Sequence, residues 1–195
     1  MPEVQETEKM ARGEEYTLGF TAANSYALLL SLPLIATFIV PYALIYGWGT
    51  LGADLPAFLV NIPLFLVSVL LGTVVHEFIH AVCWSWLDGI PWNRIEFGIK
   101  WKLLTPYVHC PESVEINNYR WGVAMPGIVL GLLPYLLALV LQNGWLLGFG
   151  IFFTLAAGGD LLILWLLRNV ERGSKVQDHP DLIGCQVVEE TDIPG

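Results

Sequence analysis

Apolar residues along this chain run in long blocks. Four stand out, at residues 24–48, 56–87, 122–142 and 145–168, separated by short polar or Gly/Pro-punctuated segments. A helix rises about 1.5 Å per residue and the hydrocarbon core of a bilayer is about 30 Å thick, so each block predicts a transmembrane helix. Pro33 and Pro41 fall inside the first block and are tolerable where neighbouring helices satisfy the freed carbonyls. "GWGTLGADLPAF" reads as a short turn, and Asn143-Gly144 in "LQNGWL" as a tighter one. Between the second and third blocks the period changes. In "RIEFGIKWKLL", Ile95, Phe97, Ile99, Trp101 and Leu103 alternate with Glu96, Gly98, Lys100 and Lys102, the period of a half-exposed strand. "TPYVHCPESVEI" offers a second strand. The expected fold is an all-α integral membrane protein of about four transmembrane helices. A small cytoplasmic β-hairpin within 88–121 lies at the membrane surface between the second and third, and acidic tails occupy 1–23 and 169–195.

Composition agrees with the blocks. Of 195 residues, 55% are hydrophobic and 14% charged, against about 25% charged in a soluble domain. The net charge of −9 excludes nucleic acid as a partner, because no basic patch exists to neutralise phosphates. Four spans put the N-terminus, the 88–121 segment and the C-terminal tail on one side. Every Lys and Arg falls there: Lys9, Arg12, Arg94, Lys100, Lys102, Arg120, Arg168, Arg172 and Lys175. The opposite loops, 49–55 and 143–144, have none. The positive-inside rule makes that side the cytoplasm of a multi-pass protein of the cell membrane, with both termini inside. Tyr42, Tyr46, Trp48 and Trp145 would mark the outer interface, and Trp84, Trp86, Trp121 and Trp165 the inner one. Residues 1–15 are polar and acidic, unlike a cleavable signal peptide. Cys83, Cys110 and Cys185 form no C-x-x-C pair and imply no disulfide framework.

Within the second block, "LLGTVVHEFIHAVCWSWLDG" carries His76, Glu77 and His80 as H-E-x-x-H. Positions i and i+4 share a helix face, so two imidazoles reach one zinc ion while Glu77 stands beside the open coordination position. Neutral imidazoles would hold the metal, and Glu77 would take a proton from an activated water and pass it to the leaving amine. Ionisable residues inside a membrane are rare and usually functional. A catalytic zinc site needs a third protein ligand. Asp160 is the only acidic residue of the last block and follows the small residues Ala156, Ala157, Gly158 and Gly159, which permit close helix approach. Counted from the cytoplasmic ends, it sits at the same depth as His76 and His80. His109, folding back from the hairpin, is a rival ligand. His179, in "DHPD", begins the soluble tail, where Asp178 and Pro180 read as turn residues, and Glu96, Glu112 and Glu115 belong to the surface segment.

An H-E-F-I-H within an apolar helix, with an intramembrane Asp two spans later, resembles the site-2 protease class of intramembrane zinc peptidases. "HEFIHA", "PYVHCPE", "AMPG", "GGD" and "DHPDLIGCQV" together resemble more closely the putative zincin peptidase family of small prokaryotic integral membrane proteins. That resemblance implies zinc at His76, His80 and Asp160, with Glu77 as general base. The chain departs from site-2 proteases in having "GGDL" where they carry an N-P-D-G-type sequence, and in showing no PDZ module. The expected function is a membrane-embedded zinc-dependent endopeptidase acting on a membrane-associated protein or peptide, held extended by a strand edge in 90–105. Two readings compete with it. One is a non-catalytic divalent-metal-binding protein, either a carrier or a degenerate protease; the other is a helical scaffold that holds no metal.

Overall fold

The computed structural model describes residues 14–101, 105–179 and 182–188. Lys9, Arg12 and Lys102 of the charge pattern, Leu103 of the predicted strand and Pro180 lie outside them. The chain is mostly helical. Helix α1 covers Phe20–Tyr46, α2 Trp48–Val60, α3 Ile62–Leu87, α4 Ile116–Leu141, α5 Gly144–Ala156 and α6 Gly158–Leu166. Helices α1, α3 and α4 are long and apolar enough to cross a membrane. Helices α5 and α6, bent by 45°, make a fourth span if taken together. The outward faces of α1, α3 and α4 are apolar: Leu28, Leu32, Leu44, Leu70 and Val140 are all exposed. Contiguous apolar surface on this scale marks an apolar surrounding.

The predicted hairpin is present. Strands β2 (Glu96–Lys100) and β3 (Thr105–His109) pair antiparallel, with Phe97 opposite Val108 and Ile99 opposite Pro106. Four expectations need correction. From Trp48 onward "GWGTLGADLPAF" is helical, forming most of α2, and the second span begins only at Ile62. Gly47, at φ 86°, ends α1, and Pro63 enters the first turn of α3, so the breaks flank α2 rather than dissolve it. The last span is broken at Ala157, among small residues that favour no single helix direction. Tyr42 and Trp84 are buried core residues, whereas Trp48, Trp86, Trp121 and Trp165 are exposed as expected of interface residues.

The fourth correction concerns the tails. Strands β1 (Glu15–Leu18), β4 (Val114–Glu115), β5 (Lys175–Asp178) and β6 (Ile183–Val188) form a second antiparallel sheet in the order β1-β6-β5-β4. Apolar residues hidden in the acidic tail drive it: Val176 and Cys185 are fully buried against Val114, Ile116, Tyr119 and Leu167. At Gly184 a Cβ would stand 2.0 Å from the Tyr16 carbonyl oxygen, so only glycine lets β6 approach β1 there.

Helix α4 joins the layers. Glu115 caps its N-terminus by accepting from the N–H groups of Asn117 and Asn118. Arg120 donates to the carbonyls of Leu167 and Val170, tying the end of α6 to the start of α4. A π-helical turn at Gly127–Leu132 follows Pro126, and there α4 meets α5. A Cβ on Gly150 would lie 2.8 Å from the Gly131 carbonyl oxygen and 2.9 Å from the Tyr135 nitrogen. At the far end, Phe38, Tyr42, Tyr135, Ala138 and Leu147 form a separate core.

Candidate metal centre

Helix α3 buries His76 and His80 one turn apart. The broken fourth span places Asp160 in the first turn of α6, where the helix N-terminus favours a carboxylate. Asp160 Oδ2 is 3.1 Å from His76 Nε2, and Oδ1 is 3.6 Å from His80 Nε2. Among the described residues these three form the group whose ligand atoms lie within 4.8 Å of one another. His109 is not in it.

Second contacts fix the imidazoles. His80 Nδ1 lies 2.9 Å from the Gly122 carbonyl oxygen. A carbonyl only accepts, so Nδ1 carries the proton, and a neutral His80 turns the Nε2 lone pair toward Asp160. The Gly122 carbonyl is available because its helical donor would be residue 126, a proline without an N–H. Trp84 stacks on His80 at 5.7 Å between ring centroids, and Tyr119 stacks on Trp84 at 6.0 Å. Gly122 admits this layer, since a Cβ there would stand 2.5 Å from Trp84 Nε1.

The donor set fits a divalent cation. Asp160 Oδ2 is buried with His76 Nε2 at 3.1 Å, and the lone pair of a neutral His80 faces Oδ1 at 3.6 Å, so that His80 and this oxygen are two acceptors turned on one another. Acceptors that converge without a donor between them repel unless a cation joins them. Two imidazoles and one carboxylate are borderline ligands of the kind that zinc takes.

Beside the trio opens a cavity of about 660 Å³ whose walls include Glu77, His109, Tyr119, Asp178 and His179. Glu77 Oε2 accepts from the Val108 N–H of β3 at 2.9 Å, so the hairpin lies over the H-E-x-x-H turn. Of the other candidates, Glu96 reaches the cavity. Glu112 pairs with exposed Arg94 at 3.7 Å, and Glu115 serves as the α4 cap. His179 Nδ1 accepts from the Leu182 N–H. Asp178, read from sequence as a turn residue, instead receives the Tyr119 hydroxyl and the Cys110 N–H. The signals for these second contacts were a proline four residues after Gly122 and the acidic residue preceding His179.

The chain matches the family described as putative zincin peptidase over residues 69–175, more than half of its length. No curated protein and no solved structure matches it.

Proposed function

The chain belongs to the putative zincin peptidase family, a family of zinc metallopeptidases by its description, and on that premise we propose a membrane-embedded endopeptidase that hydrolyses membrane-associated proteins or peptides. The observation that carries this reading is the convergence of His76, His80 and Asp160 beside Glu77 at the floor of a cavity. Zinc bound there supplies Lewis acidity, activating a water and polarising the scissile carbonyl. Glu77 is the base. It takes the proton of the attacking water and returns it to the departing nitrogen. Its contact with the Val108 N–H aims the carboxylate while leaving Oε1 for that proton.

Substrate is held extended along the hairpin. Val108 directs its N–H off the hairpin to Glu77, and Pro106, on the same edge, has no N–H. The edge of β3 above α3 therefore offers carbonyls, and a substrate strand pairing there donates its own amides. The apolar outer faces of α1, α3 and α4 support placement in the bilayer. The strand-bearing end, where the described Lys and Arg residues cluster, is assigned to the cytoplasm of the cell membrane.

Metal analysis of the detergent-purified full chain tests the site. The expected result is about one zinc per chain, lost with Asp160→Ala and kept with His109→Ala and Glu77→Gln. Hydrolysis of a fluorescently labelled unfolded casein then disappears in Glu77→Gln. Zinc binding with equal hydrolysis in wild type and Glu77→Gln would overturn the assigned base. A metal-free wild type after zinc-replete purification would overturn the peptidase itself.

A further inference from the structure

The cavity holds a further imidazole at its wall. His109, at the end of β3, turns Nδ1 to within 3.6 Å of Asp178 Oδ2. Asp178 on β5 is gripped from two more directions, the Tyr119 hydroxyl donating to Oδ1 at 2.5 Å and the Cys110 N–H to Oδ2 at 3.2 Å. Three elements thus converge to hold one carboxylate against one histidine at the edge of the candidate active site. Resting on the peptidase reading above, we propose that His109 is a catalytic residue that hydrogen-bonds the scissile carbonyl oxygen as negative charge develops on it. Asp178 and Tyr119 are its positioning residues.

Amide hydrolysis needs a donor for that oxygen as well as a base, and among the described residues the cavity walls contain no Lys or Arg. Other donors line the cavity, the buried Trp84 indole N–H among them; what marks His109 is the carboxylate held against its Nδ1 from two other elements. The Tyr119 hydroxyl is committed to Asp178. The Tyr107 ring lies across Gly98 on its own hairpin, its oxygen 2.6 Å from where a Cβ would be. His179 Nδ1 accepts from the Leu182 N–H, which leaves the proton of that ring on Nε2.

With Nδ1–H aimed at Asp178, the ring presents Nε2–H from its opposite edge only as the imidazolium. Asp178 on β5, Glu96 opposite His109 on β2, Glu77 on α3 and Asp160 on α6 all face the cavity, and His76, His80, His179, Tyr107 and Tyr119 are further titratable groups of its lining. The step balances. The water oxygen bonds to the carbonyl carbon, Glu77 takes the water proton, and the π pair moves onto the oxygen facing Nε2–H. When that pair returns, the C–N bond breaks, Glu77 delivers the proton to nitrogen, and His109 is unchanged.

Calorimetry on the zinc-loaded full chain in detergent tests this with two probes. Acetohydroxamate needs only the metal; an N-acetylated Ala-Ala phosphinate presents a tetrahedral oxyanion. Wild type should prefer the phosphinate. His109→Ala should weaken phosphinate binding about 10²-fold, with acetohydroxamate affinity and zinc content unchanged. His109→Gln, which keeps a donor, should recover part of the loss, and Asp178→Asn should fall between. An unchanged phosphinate-to-hydroxamate ratio in His109→Ala overturns the assignment, as does loss of zinc in that variant, which would make His109 a ligand. A wild type that holds zinc without preferring the phosphinate overturns it too, leaving the metal centre standing. A wild type without zinc fails the peptidase reading, and the role of His109 falls with it.

Discussion

Pro126 has no N–H, and the carbonyl it leaves unclaimed on Gly122 is the one that accepts from His80. Restoring an N–H with Pro126→Ala gives that carbonyl a competing helical donor. His80 then loses part of its orientation, and zinc affinity should drop by up to about tenfold, the lower end of what outer contacts contribute to a metal site. Competition against a chelator of known affinity measures it, and an unchanged affinity would remove Pro126 from the account. Two thiols behave differently from the site residues. Burial pushes Cys110 up to about 11 and Cys185 up to about 12, with nearby carboxylates including Asp178 reinforcing both. Both should therefore resist alkylation at pH 8 in the folded chain. The sign for stability follows from the raised values. Each thiol contributes fully below its ordinary value of 9.0, and the contribution is lost as pH climbs toward 11 and 12. The thermal midpoint should fall across that window, and Cys110→Ala should flatten part of the slope.

Helices α4 and α5 touch through glycine, and the contact is backbone to backbone. Gly150→Ala places a Cβ 2.8 Å from the Gly131 carbonyl oxygen, which has no rotamer with which to yield. A loss of about 1–3 kcal/mol is expected. Gly52→Ala in α2 meets nothing within 4 Å and should be neutral or stabilising by about 0.5–1 kcal/mol. Thermal unfolding in one detergent compares the two directly. The same elements show what was readable in sequence. His76 and His80 were legible because i and i+4 on an apolar helix fix a shared face without tertiary information. The hairpin was legible because Phe97 and Ile99 alternate with polar neighbours over a complete strand. The break at Ala157 was not, since Ala156–Gly159 is compatible with a straight helix and only packing decides its direction. Strands β1 and β6 were not either. Each is short, set in acidic sequence, and pairs Tyr16 with Cys185 across almost the whole chain. Asp178 was missed for the same reason, because its partners Tyr119 and Cys110 lie on other elements.

At the scale of the molecule, all strands and all described Lys and Arg residues share one end, and α2 with the α4–α5 turn occupies the other. Assigning the basic end to the cytoplasm predicts asymmetric labelling. In intact cells an impermeant maleimide should modify Trp48→Cys, at the exposed start of α2, and spare Lys175→Cys on β5; the reverse result would invert the orientation. The strand-bearing end also divides the metal trio from its cover. A chain ending before Lys175 keeps His76, His80 and Asp160 but lacks β5, β6 and Asp178, so it should retain zinc and lose casein hydrolysis. Metal content and activity, measured on one preparation, separate the two.

That sheet pairs Glu15–Leu18 with Ile183–Val188, and the order of synthesis gives the pairing a further meaning. The ribosome delivers His76, Glu77, His80 and Asp160 to the bilayer before it has translated Asp178 or the strand beyond it. During that interval the nascent chain carries its metal-facing residues without a finished cleft. On the proposed reading, the wall that carries Asp178 is made after the residues that face the metal, and the cleft is complete only once β5 and β6 have joined β1.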